Sequence, residues 1–251
     1  MSIAETFPVE QWIRTEETVR EGDAAYWNDA ASESKKVWAD EKNGFARTKE
    51  LIETQGAGEH LRWARDLVRA RLDRSALRGL DLACGTCWAV PILLEEGFVS
   101  HLTCVDFSRP RIFDTAPRYL AHAGVPPARV SLCWGTLGEI HRPDASFDLI
   151  HLAQGVHCAE NHEQLFREIR RLLAPGGVLL IVADPFSGRR TSFRNVVRTA
   201  VRGASAFARD ASGARVLPPF LYRVWMRMRG FRVVSRIDKA KRKQSHVGFL
   251  S

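Results

Sequence analysis

The chain has 251 residues, of which 45% are hydrophobic and 26% are charged, and its formal net charge at pH 7 is +8. This composition is typical of a globular protein and excludes a disordered, a collagen-like or a disulfide-stabilised class of protein. At roughly 150 residues per domain, the length favours one large domain, or one domain with an added cap, over two independent domains.

The sequence predicts a cytoplasmic protein that does not enter the membrane. No apolar run approaches the roughly 18 residues that a membrane-spanning helix needs. The first residues, MSIAETFPVEQW, lack the basic and apolar parts of a secretion signal. The cysteines number five, which is odd and few for this length, so we expect reduced thiols and no disulfide framework.

The positive charge is concentrated near the end of the chain. Residues 1–188 hold 21 Lys and Arg against 27 Asp and Glu, whereas residues 189–243 hold 16 against two. Four arginines at four-residue steps would form one stripe on a helix: Arg190, Arg194, Arg198 and Arg202. The stripe is either a solvated face or a surface for an anionic partner, such as a phosphorylated small molecule, an acidic carrier protein or RNA. RNA is the weaker alternative, because no aromatic cluster for stacking bases accompanies the stripe.

Two kinds of hydrophobic periodicity divide the chain. Residues 9–75 predict helices throughout, and we interpret residues 1–75 as a helical N-terminal cap or lid. Residues 76–251 predict an α/β domain with a doubly wound, mostly parallel sheet and helices on both faces, because short apolar runs alternate there with amphipathic segments. An insert is expected at 186–217. The predicted strands are 79–83, 101–106, 130–134, 147–153, 178–184, 231–237 and 246–250, and the predicted helices between them are 88–96, 109–123, 162–173, 190–208 and 218–229. The last two strands are joined by a polar connection, which predicts an antiparallel hairpin.

Residues at the carboxyl ends of the strands are the first candidates for a binding site, because open α/β sheets bind ligands there. The small-residue turn Ala83-Cys84-Gly85 follows the first predicted strand, and it would let backbone amides approach a ligand closely. The second predicted strand ends at Asp106, the position of an acidic residue that binds ribose hydroxyls. These features predict a cofactor that contains a nucleoside.

Four segments in their order resemble a known family. They are LDLACGTC, VDFS, DASFDLIHLAQGVHCAENHEQLFREIRRLLAPGG and the ending GFRVV…HVGFLS. Over roughly residues 75–251 the chain resembles the class I S-adenosylmethionine-dependent methyltransferases. The resemblance implies a seven-stranded sheet with an antiparallel last strand, and methyl transfer to a small molecule of the natural-product or metabolite type. The alternatives are RNA methylation, other chemistry with the same cofactor such as cyclisation or alkyl transfer, and a non-catalytic interaction module.

The resemblance also assigns the cofactor contacts. The turn after the first strand would face the methionyl part, the acid after the second strand would bind the ribose, and residues after the third and fourth strands would border the adenine and the methionine end. The family usually has glycine at positions 83 and 87 and often has aspartate at 136, where this chain has Ala83, Cys87 and Thr136. The implied cofactor-binding residues are Asp81, Ala83, Cys84, Gly85, Asp106, Phe107, Thr136, Leu137, Ala153 and Gln154.

Histidine is the best candidate for a general base near neutral pH. His157 follows the fourth predicted strand, where the methyl acceptor should lie, and it is our candidate for both catalysis and substrate binding. We expect His151 to be a core residue and His162 to lie at the surface. Tyr26, Trp27 and Trp38 could form an aromatic wall for a planar acceptor, or they could pack the cap onto the sheet.

Cys84 and Cys87 form a CxxC sequence, which is found in redox and metal sites. Cysteine is also a common small buried residue, and no pair of His and Cys residues has the spacing of a zinc finger. We therefore predict no metal site.

Overall fold

The computed structural model describes residues 6–13, 28–159, 161–186 and 219–250. In these ranges eight strands form one sheet: Val9–Gln11 (β1), Leu77–Leu82 (β2), Val99–Asp106 (β3), Val130–Trp134 (β4), Phe147–Ala153 (β5), Leu173–Pro185 (β6), Phe231–Asp238 (β7) and Lys243–Leu250 (β8). Their order across the sheet is β1-β4-β3-β2-β5-β6-β8-β7. Strands β1 to β6 pair in parallel, whereas β8 lies antiparallel between β6 and β7. The predicted mostly parallel sheet with an antiparallel hairpin at its end is confirmed.

Strand β1 contradicts two expectations. It makes the sheet eight-stranded instead of seven-stranded, and it lies in the range 9–75, for which helices are predicted throughout. This short strand pairs in parallel with β4, with Val9 opposite Leu132, and the amide of Trp12 continues the pairing with the carbonyl oxygen of Trp134 at 2.9 Å. A strand of three residues is too short for its side chains to distinguish a period of 2 from a period of 3.6. It forms because the edge of β4 offers it hydrogen-bond partners.

The helices surround the sheet. They are Ala30–Glu33 (α1), Gly44–Thr54 (α2), Ala57–Arg69 (α3), Val90–Leu94 (α4), Ala116–His122 (α5), His162–Leu172 (α6) and Pro219–Met228 (α7), and a π-helical turn, Arg111–Thr115, precedes α5. Tyr26, Trp27, the arginine stripe and almost all of the predicted insert lie outside the described residues. No helix in the described ranges has the length and apolar character that crossing a membrane requires.

Two hydrophobic clusters occupy the two faces of the sheet. Leu61, Ala64 and Val68 of α3 belong to one cluster, and α3 contacts β6 and β8. Phe166 of α6 and Tyr222 of α7 belong to the other. Helix α3 therefore covers the sheet directly, so part of the predicted cap is one of the layers that bury the core.

The segment between α1 and α2 folds back over the carboxyl ends of the strands. Gly44 begins α2 where a Cβ atom would lie 2.8 Å from the carbonyl oxygen of Trp38. Glycine is needed here because of this close approach, which keeps the backbone of Trp38 against the start of α2. The segment thereby brings the Trp38 side chain to the end of the sheet where ligands bind.

Candidate functional site

A cavity of about 390 Å³ opens at the carboxyl ends of β2, β3, β5 and β6. Its volume lies within the range of ~300–1,000 Å³ that is usual for small-molecule sites. Residues of α2 and the segment before it form one wall, and the turns that follow the four strands form the rest. The lining residues are Trp38, Thr48, Leu51, Ile52, Gln55, Ala83, Cys84, Gly85, Thr86, Trp88, Asp106, Phe107, Ser108, Arg111, Ala153, Gln154, His157, Cys158 and Pro185. A second hollow of about 520 Å³ lies outside α2 and contains none of the residues at the strand ends.

Asp106 links the turns after β2 and β3. Its Oδ2 accepts the backbone N–H of Gly85 at 2.7 Å, and its Oδ1 accepts that of Ser108 at 2.8 Å. Each carboxylate oxygen has a second lone pair that a ligand hydroxyl could use. Burial raises the pKa of Asp106, and the nearby Arg111 guanidinium opposes this increase. The chain thus holds a buried acidic group at the edge of the cavity, beside a backbone turn that a ligand can approach.

Three non-glycine residues in the left-handed backbone region lie at or near the carboxyl ends of neighbouring strands. Ala83 has a φ of 54°, Gln154 has 52° and Ala183 has 51°. Such conformations cost of order 1–3 kcal/mol each, and they persist where the surrounding structure enforces them. The methyl group of Ala83 also lies against Gly155, where an added Cβ would be only 2.8 Å away. Of these three residues, Ala83 and Gln154 line the cavity.

The substitution Ala83→Gly should raise the free energy of unfolding by up to about 1 kcal/mol, because glycine adopts a positive φ without the Cβ clash. Urea denaturation measures this change. The matched control is Ala121→Gly in the exposed part of α5, where glycine should lower the stability by roughly 0.5–1 kcal/mol. Equal destabilisation by both substitutions would show that Ala83 is not strained.

At the opposite end of the cavity, His157 pairs with a buried carboxylate. Its Nδ1 lies 3.0 Å from Oδ1 of Asp184, a side chain that is fully buried near the end of β6. The hydroxyl of Tyr222 donates a hydrogen bond to the other oxygen of Asp184. Lys243 Nζ donates to Oε1 of Gln154 at 3.0 Å. The cavity therefore has one acidic end at Asp106 and one end with a paired imidazole and an ammonium group nearby.

A third group of charges links Glu33, at the end of α1, to Arg111, which lines the cavity near Asp106. The guanidinium of Arg111 donates two hydrogen bonds to the Glu33 carboxylate, at 3.1 and 2.8 Å, and both side chains are largely buried. Trp38 Nε1 donates to the same carboxylate at 3.0 Å, and the guanidinium lies 4.9 Å from the centre of a Trp38 ring. This arrangement fixes Trp38 in the wall of the cavity.

The structure brings most of the predicted site residues together but places three elsewhere. Ala83, Cys84, Gly85, Asp106, Phe107, Ala153, Gln154, His157 and Trp38 line the cavity. Asp81 lies within the sheet, where its Oδ1 is 2.7 Å from Nδ1 of His151, and Thr136 and Leu137 are not among the lining residues. The prediction of a core position for His151 is confirmed.

The prediction of a surface position for His162 is wrong, because its side chain is only 2% exposed and its ring stacks on Trp225 at 5.4 Å. The N-cap of α6 is Asn161, and His162 is the first residue of the helix. Its ring packs against Trp225 of α7, which buries it.

Sequence reasoning missed Asp184, Arg111 and Trp88 as residues of this site. Asp184 ends a predicted strand, so the same rule that selected Asp106 could have selected it. Arg111 and Trp88 gave no comparable signal, because the sequence pattern around each of them predicts only the start of a helix.

The cysteines of the CxxC sequence are buried beneath the turn. Cys84, Cys87 and Cys104 are all free thiols, and burial raises the pKa of Cys84, which favours its protonated form. Within the described ranges, no group of three His, Cys, Asp or Glu side chains could hold a metal ion. Cys84 lines the cavity, and all three side chains belong to the hydrophobic cluster on one face of the sheet.

Comparison with known proteins agrees with this geometry. Residues 80–181 match the family model described as a methyltransferase domain, a range that contains the turn after β2, Asp106 and His157. This part of the chain is therefore similar to a methyltransferase domain. The matched range also includes the second half of β2, all of β3 to β5 and most of β6.

The similar proteins include enzymes and a solved structure. Demethylmenaquinone methyltransferase of Thermus thermophilus is 30% identical over 128 residues, which are 51% of this chain and 56% of that protein. The enzyme of the same name from Listeria monocytogenes is 28% identical over 124 residues, which are 49% of this chain and 51% of that protein. The chain thus spans about half the length of the relatives that it matches. The crystal structure of a SAM-dependent methyltransferase from Aquifex aeolicus is 16% identical in sequence and has a TM-score of 0.56, over 82% of this chain and 98% of that protein. This similarity concerns the fold alone.

Proposed function

We propose that this methyltransferase domain transfers a methyl group from S-adenosylmethionine to a small-molecule acceptor. The observation that carries the proposal is that one cavity joins the Ala83–Gly85 turn and the Asp106 carboxylate to the His157–Asp184 pair. One end therefore suits a nucleoside cofactor and the other suits a polar acceptor. The name of the relatives, demethylmenaquinone methyltransferase, supports a small molecule as the acceptor.

The residues present fit the cofactor. Asp106 accepts one backbone N–H on each oxygen and could accept ribose hydroxyls on the remaining lone pairs. Phe107 would lie against the adenine, while the turn at Ala83, Cys84 and Gly85 would approach the methionyl part. Ala153 and Gln154 would border the methionine end. Bound S-adenosylmethionine would supply an electrophilic methyl group on a sulfonium.

The cavity walls would contribute to catalysis by positioning the acceptor. Methyl transfer needs the acceptor atom in line with the methyl group, and holding two reactants in this way supplies much of the rate increase. Trp38 and α2 would exclude water from one side. That the acceptor is anionic or bound to a carrier, and that RNA is a weaker alternative, stay predictions, because the arginine stripe lies outside the described residues.

Calorimetric titration with S-adenosylhomocysteine, the expected product, tests the cofactor before the acceptor is known. We expect saturable binding of one molecule per chain, and no comparable binding of NAD, which is the ligand of other Rossmann-like folds. Transfer of a labelled methyl group to a panel of small molecules then tests the reaction. Failure of S-adenosylhomocysteine to bind at millimolar concentration would overturn the proposal.

A further inference from the structure

Asp184 determines the orientation and charge of His157. The carboxylate is fully buried and contacts His157 Nδ1 at 3.0 Å, while the Tyr222 hydroxyl donates to its other oxygen. With Nδ1 engaged by Asp184, Nε2 is the ring nitrogen that can address a ligand in the cavity, which His157 lines. A carboxylate that binds one nitrogen of a histidine fixes both the position of the ring and the location of its proton.

An irregularity in the sheet brings Asp184 to this place. The pairing of β6 with β8 shifts register between Ile181 and Asp184, and Ala183 within the shift has a φ of 51°. The amide of Ala183 donates to the hydroxyl of Ser245 at 2.8 Å, so the bulged backbone keeps a hydrogen bond. Bulges of this kind re-aim side chains, and they are common next to active sites.

The charged and titratable groups around the pair come from five elements. Cys158 follows His157 in the same 3-10 turn, Tyr222 lies on α7, and Lys243 and His246 lie on β8. Burial lowers the pKa of His246 to about 4, so this ring is neutral at pH 7. Burial also lowers the pKa of Lys243, an effect that Asp184 opposes. On the cofactor side, Arg111 is paired with Glu33.

The contact with the buried carboxylate of Asp184 favours the positively charged form of His157. Burial alone would lower its pKa, but the charge of Asp184 and the hydrogen bond to it raise the pKa well above the usual value. An imidazolium cannot accept a proton, so this charge state differs from that of the general base expected from the sequence. His157 lines this end of the cavity, and Lys243 lies next to it, with Nζ 3.0 Å from Oε1 of Gln154 in the cavity wall.

We propose that the cavity binds its methyl acceptor as an oxyanion facing His157, so that the acceptors are molecules with an acidic hydroxyl, of the phenol or enol type. This inference rests on the proposed function and names the substrate class of the same site. The hydroxyl proton leaves to water when the acceptor binds, and the imidazolium stabilises the negative oxygen that remains. Asp184 and Tyr222 are positioning residues, because they act on the acceptor through His157.

The oxyanion has a chemical advantage at this place. An ionised oxygen is a better nucleophile than a hydroxyl group, and a fixed cation in a site shielded from water stabilises the anion more strongly than the same cation in water. The pair of His157 and Asp184 is electrically neutral by itself, and the ammonium group of Lys243, which contacts Gln154 in the cavity wall, adds positive charge nearby.

The probe for this site is 4-nitrophenol, whose phenol and phenolate forms differ in colour. Its spectrum is titrated with pH in the presence of saturating S-adenosylhomocysteine, with and without the protein. We expect the pKa of the bound probe to fall by about 1–3 units below that of the free probe, the usual effect of an opposite charge within a few ångströms. Proton NMR of the His157 ring, followed over the same pH range, gives the charge state of the imidazole independently.

Variants separate the charge from the packing. His157→Gln should abolish the shift of the probe, and Asp184→Asn should lower the pKa of His157 by about 1–3 units and remove most of the shift. Tyr222→Phe keeps the charge of Asp184 and should keep most of the shift. The matched control is His141→Gln, an exposed histidine that does not line the cavity, and it should leave the probe unchanged.

The outcomes distinguish this inference from the proposed function. If S-adenosylhomocysteine does not bind the wild-type protein, the proposed function fails and the inference fails with it. If S-adenosylhomocysteine binds but 4-nitrophenol stays unbound, or binds with the pKa of the free probe, the inference alone is overturned. A probe shift that persists in His157→Gln, in a variant that still binds S-adenosylhomocysteine, would also overturn it.

Discussion

Replacing Asp106 by Asn should weaken the binding of S-adenosylhomocysteine about 10- to 100-fold. The carboxylate is the one acidic group described in the wall of the cavity, and a hydrogen bond to a charged acceptor contributes about 1.5–3 kcal/mol. An amide offers one acceptor oxygen instead of two, and its NH2 group must face the backbone N–H of Gly85 or Ser108. The turn after β2 therefore loses an anchor at the same time as the ligand loses an acceptor.

Calorimetry at several pH values measures this effect and its charge dependence. Burial raises the pKa of Asp106, so the carboxylate should become protonated at a higher pH than an ordinary carboxyl group, whose pKa is about 4. The affinity of the wild-type protein should therefore begin to fall at that higher pH as the solution is acidified. Asp106→Asn should lose this pH dependence. The control Asp114→Asn changes an exposed carboxylate that pairs with Arg118, and its affinity should equal that of the wild type. Equal affinity in Asp106→Asn would remove Asp106 from the cofactor site.

Glu33→Gln should destabilise the protein by about 3–5 kcal/mol, because it removes the negative charge that accepts two hydrogen bonds from the buried guanidinium of Arg111. The two side chains are only 7% and 14% exposed, and they form a two-pronged ion pair. The same substitution weakens the partner of Trp38 Nε1. We therefore expect a lower midpoint of urea denaturation and weaker binding of S-adenosylhomocysteine, since Trp38 and Arg111 both line the cavity.

An exposed ion pair provides the control for this prediction. Glu96 pairs with Arg69, and their side chains are 67% and 39% exposed, so Glu96→Gln should change the stability by less than about 1 kcal/mol. The double variant Glu33→Gln with Arg111→Met should recover part of the lost stability, because it removes the buried guanidinium together with the carboxylate that it contacts. A denaturation midpoint for Glu33→Gln equal to that of Glu96→Gln would show that the buried pair does not hold this wall.

The sequence by itself determined the sheet and the principal positions of the site. The change of hydrophobic period near Leu80 predicted the strands, and two of them, Val130–Trp134 and Phe147–Ala153, have the predicted bounds. Placing functional residues after strand ends selected Gly85, Asp106 and His157, which line one cavity. These inferences succeed because periodicity records which face of an element is buried, and because parallel strands bring their carboxyl ends to the same edge.

Only the tertiary structure decided which side chains meet. Asp184 reaches His157 across 27 positions of sequence, and Glu33 reaches Arg111 across 78. Strand β1 pairs with a strand more than a hundred residues away, and the register shift at Ala183 depends on the pairing of β6 with β8. A residue pattern reports burial but does not name a partner, because the contact between two charges is fixed by how distant elements pack. The contact of His157 with Asp184, on which the proposed substrate class rests, was therefore decided by the fold.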